Sequence, residues 1–275
     1  MALTHSHKVG SHEVIVIKDG EFQFPAELFP GTDESTISDL LKDAGAENIE
    51  TNFNAFVVKS PGRTLLVDAG PRDMFGDTCG NLPEGLKAAG VSPEDITHLM
   101  LTHMHPDHIA GAVTNDNKAV FKNAQLMVSE DEYAFWTRDE AFGDENMDQW
   151  QTVAKGVASA YSDRLETFKS GADLGNGLSA LDLPGHTPGH SGFRIDDGQN
   201  SFLMVCDIFH AQALQLADPE ISIVFDVDAD TARETRKKTL DMIASDGLQF
   251  SGGHLISPKV ATLSRKGKGY ELGAL

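Results

Sequence analysis

Residues 103–108 constrain this chain more than any other stretch. His103, His105, Asp107 and His108 place three imidazoles and a carboxylate within six positions. The run before them, residues 96–102, is apolar and reads as a strand, so the cluster is delivered to the end of a sheet. Side chains alternate along an extended backbone, which sends His103 and His105 to the same side. Pro106 then begins a turn from which Asp107 and His108 face a second point in space. Packing does not account for four such groups after an apolar strand. Imidazole with carboxylate suits a metal ion, with zinc, manganese, cobalt and iron all compatible.

A chain of 275 residues can bury a substantial core. We expect one domain over residues 1–275, in which the polar residues 1–12, with His5, His7 and His12, form a flexible leader. The formal charge of −20 excludes a nonspecific nucleic-acid binder, which needs clustered Lys and Arg, and disfavours an anionic membrane surface. Cys79 and Cys206 are the only cysteines, so no disulfide framework is expected. The first residues lack the basic and apolar regions of a signal peptide, and the longest apolar run, 202–206, is too short to span a bilayer. The expected location is the cytoplasm.

Strand signals occupy residues 13–18, closed by the turn pair Asp19-Gly20, then 51–58 and 64–67 across a Pro-Gly turn. Residues 22–31 read as a loop rich in Phe and Pro, and 32–35 introduce a helix that Gly45 ends. Residues 71–82 lack periodicity and read as an active-site loop that holds Phe75. Further strands are expected at 124–128, 178–183 and 201–205, and helices at 129–138, 148–164 and 228–245. The helical aromatics Phe135 and Trp136, with Phe142 nearby, are candidates for a substrate wall, although such spacing more often means core. Phe209 and His210 follow a strand end and join that candidate pocket. The 178–183 strand runs into Pro-Gly-His-Thr-Pro-Gly-His, where Gly185 and Gly189 permit a tight approach. His190 there is expected to hydrogen-bond within the loop. Residues 249–254 give a short strand, a double-Gly turn and His254.

H-x-H-x-D-H after an apolar strand resembles the metallo-β-lactamase superfamily, and the similarity extends over about residues 50 to 255. The resemblance implies an α+β fold, a four-layer αββα sandwich. It also implies that His103, His105 and His186 hold one divalent ion and that Asp107, His108 and His254 hold another. Asp207 would bridge the two, and Asp68 would support the metal loops from behind. The cofactors expected are two divalent ions per chain, zinc first, with manganese, cobalt or iron as alternatives.

Two such ions roughly 3.5–4 Å apart share a hydroxide near neutral pH and neutralise the oxyanion that forms on attack. Asp107 and Asp207 are the expected catalytic carboxylates. The stretches Phe75-Gly-Asp-Thr-Cys-Gly, Gly-His-Thr-Pro-Gly-His and Asp-Ile-Phe-His look like the branch containing methyl parathion hydrolase and related lactonases. That similarity implies a homodimer whose hydroxide attacks a lactone or ester carbonyl, with incidental organophosphate triesterase activity. A dedicated phosphotriesterase is the second reading and a glyoxalase-type thioesterase the third. A metal-stabilised binding protein without activity is disfavoured, because no expected ligand is missing. The partners expected are small esters, lactones or phosphotriesters, with neither nucleic acid nor membrane.

Overall fold

A computed structural model describes residues 2–256 and 259–273. Seven strands lie in chain order in one sheet: β1 (Thr4–Val9), β2 (His12–Phe24), β3 (Ile49–Ser60), β4 (Arg63–Val67), β5 (His98–Met100), β6 (Gln125–Ser129) and β7 (Leu165–Phe168). The pairings from β1 to β4 are antiparallel and those from β4 to β7 parallel. A second sheet has the order β11-β10-β9-β8, from β8 (Leu178–Asp182), β9 (Ser191–Asp197), β10 (Asn200–Met204) and β11 (Gln249–Ser251). The helices are α1 (Glu34–Ala44), α2 (Leu82–Ala88), α3 (Pro106–Ile109), α4 (Glu130–Thr137), α5 (Glu145–Ala160), α6 (Gln212–Gln215) and α7 (Ala229–Asp246). A hairpin of β12 (Thr262–Lys266) and β13 (Gly269–Gly273) completes the chain.

Period-two alternation builds the layers. Val14, Val16, Phe56 and Val58 point inward and meet Phe193, Ile195, Phe202 and Met204 of the second sheet. Their neighbours Ile15, Ile17, Ala55 and Val57 point outward into the core that also holds Leu82 and Leu86 of α2, Trp136 of α4 and Ala154 and Val157 of α5. On the second sheet Leu203 and Val205 face outward onto Leu240 and Ile243 of α7. Helices, sheet, sheet and helix therefore stack as the expected αββα sandwich. Asp228 caps α7 by accepting from Thr231 N–H, and Gly247 closes it in the left-handed conformation. No described helix is long and apolar enough to cross a membrane.

The strands that matter for the site all stop at one edge of the sandwich. β4 ends before Asp68, β5 before the His103 cluster, β8 before His186, β10 before Asp207 and β11 before His254. Several elements differ from their sequence expectation. The leader is not loose from Thr4 onward: β1 pairs with β2 from Thr4↔Ile17 to Val9↔His12, and His12 is buried. Met1 lies outside the described residues. Asp19-Gly20 does not end a strand. It forms a bulge at which the β2–β3 register shifts, and β2 continues to Phe24. Cys79 packs so closely on Gly20 that an added Cβ would lie 2.6 Å from its Sγ. The central strand covers only His98–Met100, because the residues beyond it leave the ladder to form the site. Cys206 follows β10 with a φ of 41°, and its Sγ lies 3.5 Å from Asp68 Oδ2.

Arg236 of α7 fastens the segment between Asp207 and α7. Its buried guanidinium donates to the carbonyls of Ile208, Pro219 and Ile221 and pairs with Asp226. Arg236→Met is expected to cost about 3–5 kcal/mol, because Asp226 and three carbonyls lose a partner in the interior. Urea unfolding of the metal-free protein measures this, and a loss below about 1 kcal/mol would contradict it.

Candidate metal centre

Four loops bring their imidazoles to one carboxylate oxygen. Asp207 Oδ2 lies 2.9 Å from His254 Nε2, 3.2 Å from His108 Nε2, 3.3 Å from His210 Nε2, 3.4 Å from His186 Nε2 and 3.6 Å from His103 Nε2. All six residues are buried. Ligand atoms of His103, His105 and His186 lie within 4.8 Å of one another, as do those of Asp107, His108, Asp207 and His254. His186 Nε2 and His105 Nδ1 are 3.0 Å apart. The Nε2 atoms of His103 and His108 and Oδ1 of Asp207 are buried without a hydrogen-bond partner. Buried polar atoms are seldom left that way. Converging lone pairs on nitrogen and oxygen donors are what a pair of divalent cations requires, so the residues fit such ions.

The opposite ring nitrogens are held from behind, which fixes each imidazole plane. His103 Nδ1 faces Thr102 Oγ1 at 3.1 Å, and that hydroxyl donates to Asp68 Oδ2 at 2.8 Å. Asp68 also takes Thr102 N–H at 2.9 Å and meets His108 Nδ1 at 2.8 Å. His254 Nδ1 meets the Asn52 carbonyl at 2.9 Å, and His186 Nδ1 meets Asp226 Oδ1 at 2.9 Å. His190 is turned the other way. Its Nδ1 donates to the Leu183 carbonyl at 2.9 Å, and its Nε2 accepts Asp207 N–H at 3.2 Å, so both nitrogens are occupied within the loops. Gly185 makes this approach feasible: at φ 123°, an added Cβ would sit 2.2 Å from Ala232 N.

The structure separates the candidate pocket residues. Phe209 is fully buried among Leu240, Ile243 and Phe250 and belongs to the core under α7, not to a pocket. Trp136 is also fully buried; its ring meets the His105 ring at 5.4 Å from inside the first core. Phe135 and Phe142 pack on Trp136, and Arg138 stacks on Phe142. Phe75 stays partly exposed, 5.4 Å from Phe53, which in turn lies 5.7 Å from His254. His210 joins the histidine cluster itself, stacked on His254 at 4.7 Å.

Sequence reasoning missed Trp150, Phe225 and Asp226. The half-buried Trp150 ring lies 4.8 Å from His105 and 6.0 Å from Phe225, which sits 6.3 Å from His210. Trp150 begins the helical stripe that continues through Ala154 and Val157, so its pattern reads as core. Asp226 carried no signal beyond its place in an acidic run before α7.

Two pairs of these histidines differ electrostatically. Burial, followed by the neighbouring imidazoles, pushes His103 and His105 well below the usual histidine range. Burial also opposes charge on His108 and His254, but Asp207 leads the carboxylates that outweigh it and raise both. At Asp107 burial is likewise overcome, by His108 and His254, which hold its carboxyl well below the ordinary range.

The metallo-beta-lactamase superfamily profile matches residues 51–254. N-acyl homoserine lactonase AiiB of Agrobacterium fabrum (strain C58) is 32% identical over 186 residues, covering 58% of this chain and 63% of that protein. The chain thus spans somewhat under two thirds of the length of this relative. Among solved structures, AidC, a dizinc quorum-quenching lactonase crystallised with a product, superposes with a TM-score of 0.91 at 27% identity over 98% of this chain and 96% of that one. The hydrolase AbOPH superposes with a TM-score of 0.92 at 28% identity, over 100% of this chain and 98% of that one.

Proton competition for a divalent ion should therefore fall on one set. The raised histidines keep their protons to higher pH in the metal-free protein, so acidification displaces an ion from His108 and His254 first. Equilibrium dialysis against zinc is expected to give about two ions per chain near pH 8 and about one near pH 6. Parallel loss of both ions would contradict the difference between the His103–His105 and His108–His254 pairs.

Proposed function

The chain belongs to the metallo-beta-lactamase superfamily, and on that footing we propose that it is a dinuclear zinc hydrolase that opens lactone rings, with N-acyl homoserine lactones as the substrate class. One observation carries the reading: the imidazoles of His103, His108, His186, His210 and His254, from four loops, converge on the Asp207 carboxylate, with several of their nitrogens unpartnered. His103, His105 and His186 would hold one ion, Asp107, His108 and His254 would hold the other, and Asp207 is shared by the two groups. Two zinc ions held there would supply a hydroxide nucleophile at neutral pH and a counter-charge for the developing oxyanion.

The chain's own residues do the rest. The Asp107 side chain is 15% exposed, whereas the other residues assigned to the ions are nearly inaccessible, so Asp107 faces the mouth of the site. An ionised carboxylate there is placed to orient the attacking hydroxide and to pass its proton to the alcohol released from the ring. Trp150, Phe225 and Phe24 form a connected aromatic wall on one side, and Phe75 with Phe53 form another. These surfaces suit an acyl chain, and the names of the curated lactonase relatives and of AidC support the same choice.

The decisive measurement is kcat/KM of one zinc-replete preparation for an N-acyl homoserine lactone, an aryl ester and a dimethyl aryl phosphotriester. The lactone is expected to lead; preference for the phosphotriester would overturn the substrate assignment. Asp207→Ala is expected to lower kcat for the lactone by about a thousandfold while far-ultraviolet circular dichroism stays native. Phe225→Ala should raise KM for a long-chain lactone by about tenfold and leave a short-chain one nearly unchanged, since each lost methylene contact is worth about 0.8 kcal/mol. Equal effects on both chain lengths would remove Phe225 from the acyl site.

A further inference from the structure

Glu132 lies outside both ligand sets and touches the loops that carry one of them. It sits in the first turn of α4, fully buried. Its Oε1 accepts Met104 N–H at 2.8 Å and Trp136 Nε1–H at 2.7 Å. Its Oε2 accepts the Thr187 hydroxyl at 2.6 Å and Gly189 N–H at 3.1 Å. Four donors thus fill the acceptor sites of the two oxygens, an arrangement that fits an ionised carboxylate. Burial pushes the carboxyl up, and these four donors oppose that push.

The placement of those donors matters more than their number. Met104 is the residue between His103 and His105, and Thr187 is the residue after His186. The loop of β5 and the loop of β8 therefore meet on one carboxylate. Ser129, the cap of α4, reinforces the join: its hydroxyl donates to the Gly189 carbonyl at 2.7 Å and accepts Glu132 N–H at 3.2 Å. Gly189 leaves no slack, since an added Cβ would fall 2.2 Å from Glu132 N. Trp136, tethered by the same carboxylate, sets its ring against His105. The other set is held by different groups, Asp68 behind His108 and the Asn52 carbonyl behind His254.

We propose that Glu132 is a positioning residue that sets the affinity of the His103–His105–His186 position by clamping its two loops at one separation. This rests on the dinuclear reading above. Glu132→Gln keeps the volume but places an amide N–H₂ where an oxygen accepted two donors, so one loop must lose its tether.

The test is a zinc titration of the metal-free protein against a chromophoric chelator, with tryptophan fluorescence followed in parallel. Trp136 and Trp150 lie 5.4 and 4.8 Å from the His105 ring, so fluorescence reports on that position. In Glu132→Gln, one zinc ion is expected to bind about 10- to 100-fold more weakly, the other within about twofold of the wild type. The fluorescence change should move with the weakened ion. Equal weakening of both ions, or no change in either, would overturn the proposal. Thr187→Val removes a single donor and leaves α4 intact, so it carries the test if the glutamine variant does not fold. It should weaken the same ion by a smaller factor, and unchanged affinities would again overturn the role. A wild-type protein that binds fewer than two zinc ions would instead overturn the dinuclear reading and this inference together.

Discussion

Everything at this edge of the sandwich depends on one buried carboxylate. Asp207 is inaccessible to water, yet its outer oxygen is met by the imidazoles of His103, His108, His186, His210 and His254. Burying a carboxylate is costly unless charge and hydrogen bonds compensate it. Here the compensation is divided: against burial, the carboxylates favour the charged forms of His108 and His254, whereas burial pushes His103 and His210 below the usual histidine range. The arrangement stores a demand for positive charge at the centre of the cluster. The pair of divalent ions proposed above would meet that demand.

Holding such a centre open requires rigid walls, and the chain builds them from buried acids. Asp68 fixes Thr102 and His108, Asp226 fixes His186 and is itself held by Arg236, and Glu132 joins the loops at Met104 and Thr187. Each acid spans elements far apart in sequence, so the loops are cross-linked to one another rather than stiffened singly. The large negative formal charge of the chain is thus not only a solvated surface. Part of it is spent inside, on carboxylates saturated by backbone, hydroxyl and ring donors.

Legibility followed locality. The elements could be read because the strand signals in residues 13–18 and 51–58 and the helical pattern in 228–245 are local, and the structure keeps all three, whereas the four layers were implied only by the family resemblance. Element ends were less legible. Asp19-Gly20 carries turn residues but is absorbed as a bulge, because the loop through Cys79 lies against it. The leader has no apolar frame, yet β1 forms because the edge of β2 offers it a hydrogen-bonding partner. Aromatic roles were least legible. Trp136 and Phe209 went to cores and Trp150 and Phe225 to the site rim, although all four are large aromatic side chains beside site residues. Which face of an element looks towards the histidines depends on crossing geometry, and no local pattern records it.

The sequence by itself determined the chemistry and the order of the groups. His103, His105, Asp107 and His108 follow a strand at fixed spacing, and His186, Asp207 and His254 each follow a later strand, so donor types and their placement at strand ends are local properties. Only the tertiary structure decided that these ends share one edge, that Asp207 lies at their centre, and that Asp226 and Glu132 brace them. Those facts arise from two sheets packed face to face, whose buried alternation fixes register across more than a hundred residues. Strand ends far apart in the chain are brought within hydrogen-bond distance by packing, and packing is a property of the whole core rather than of any segment.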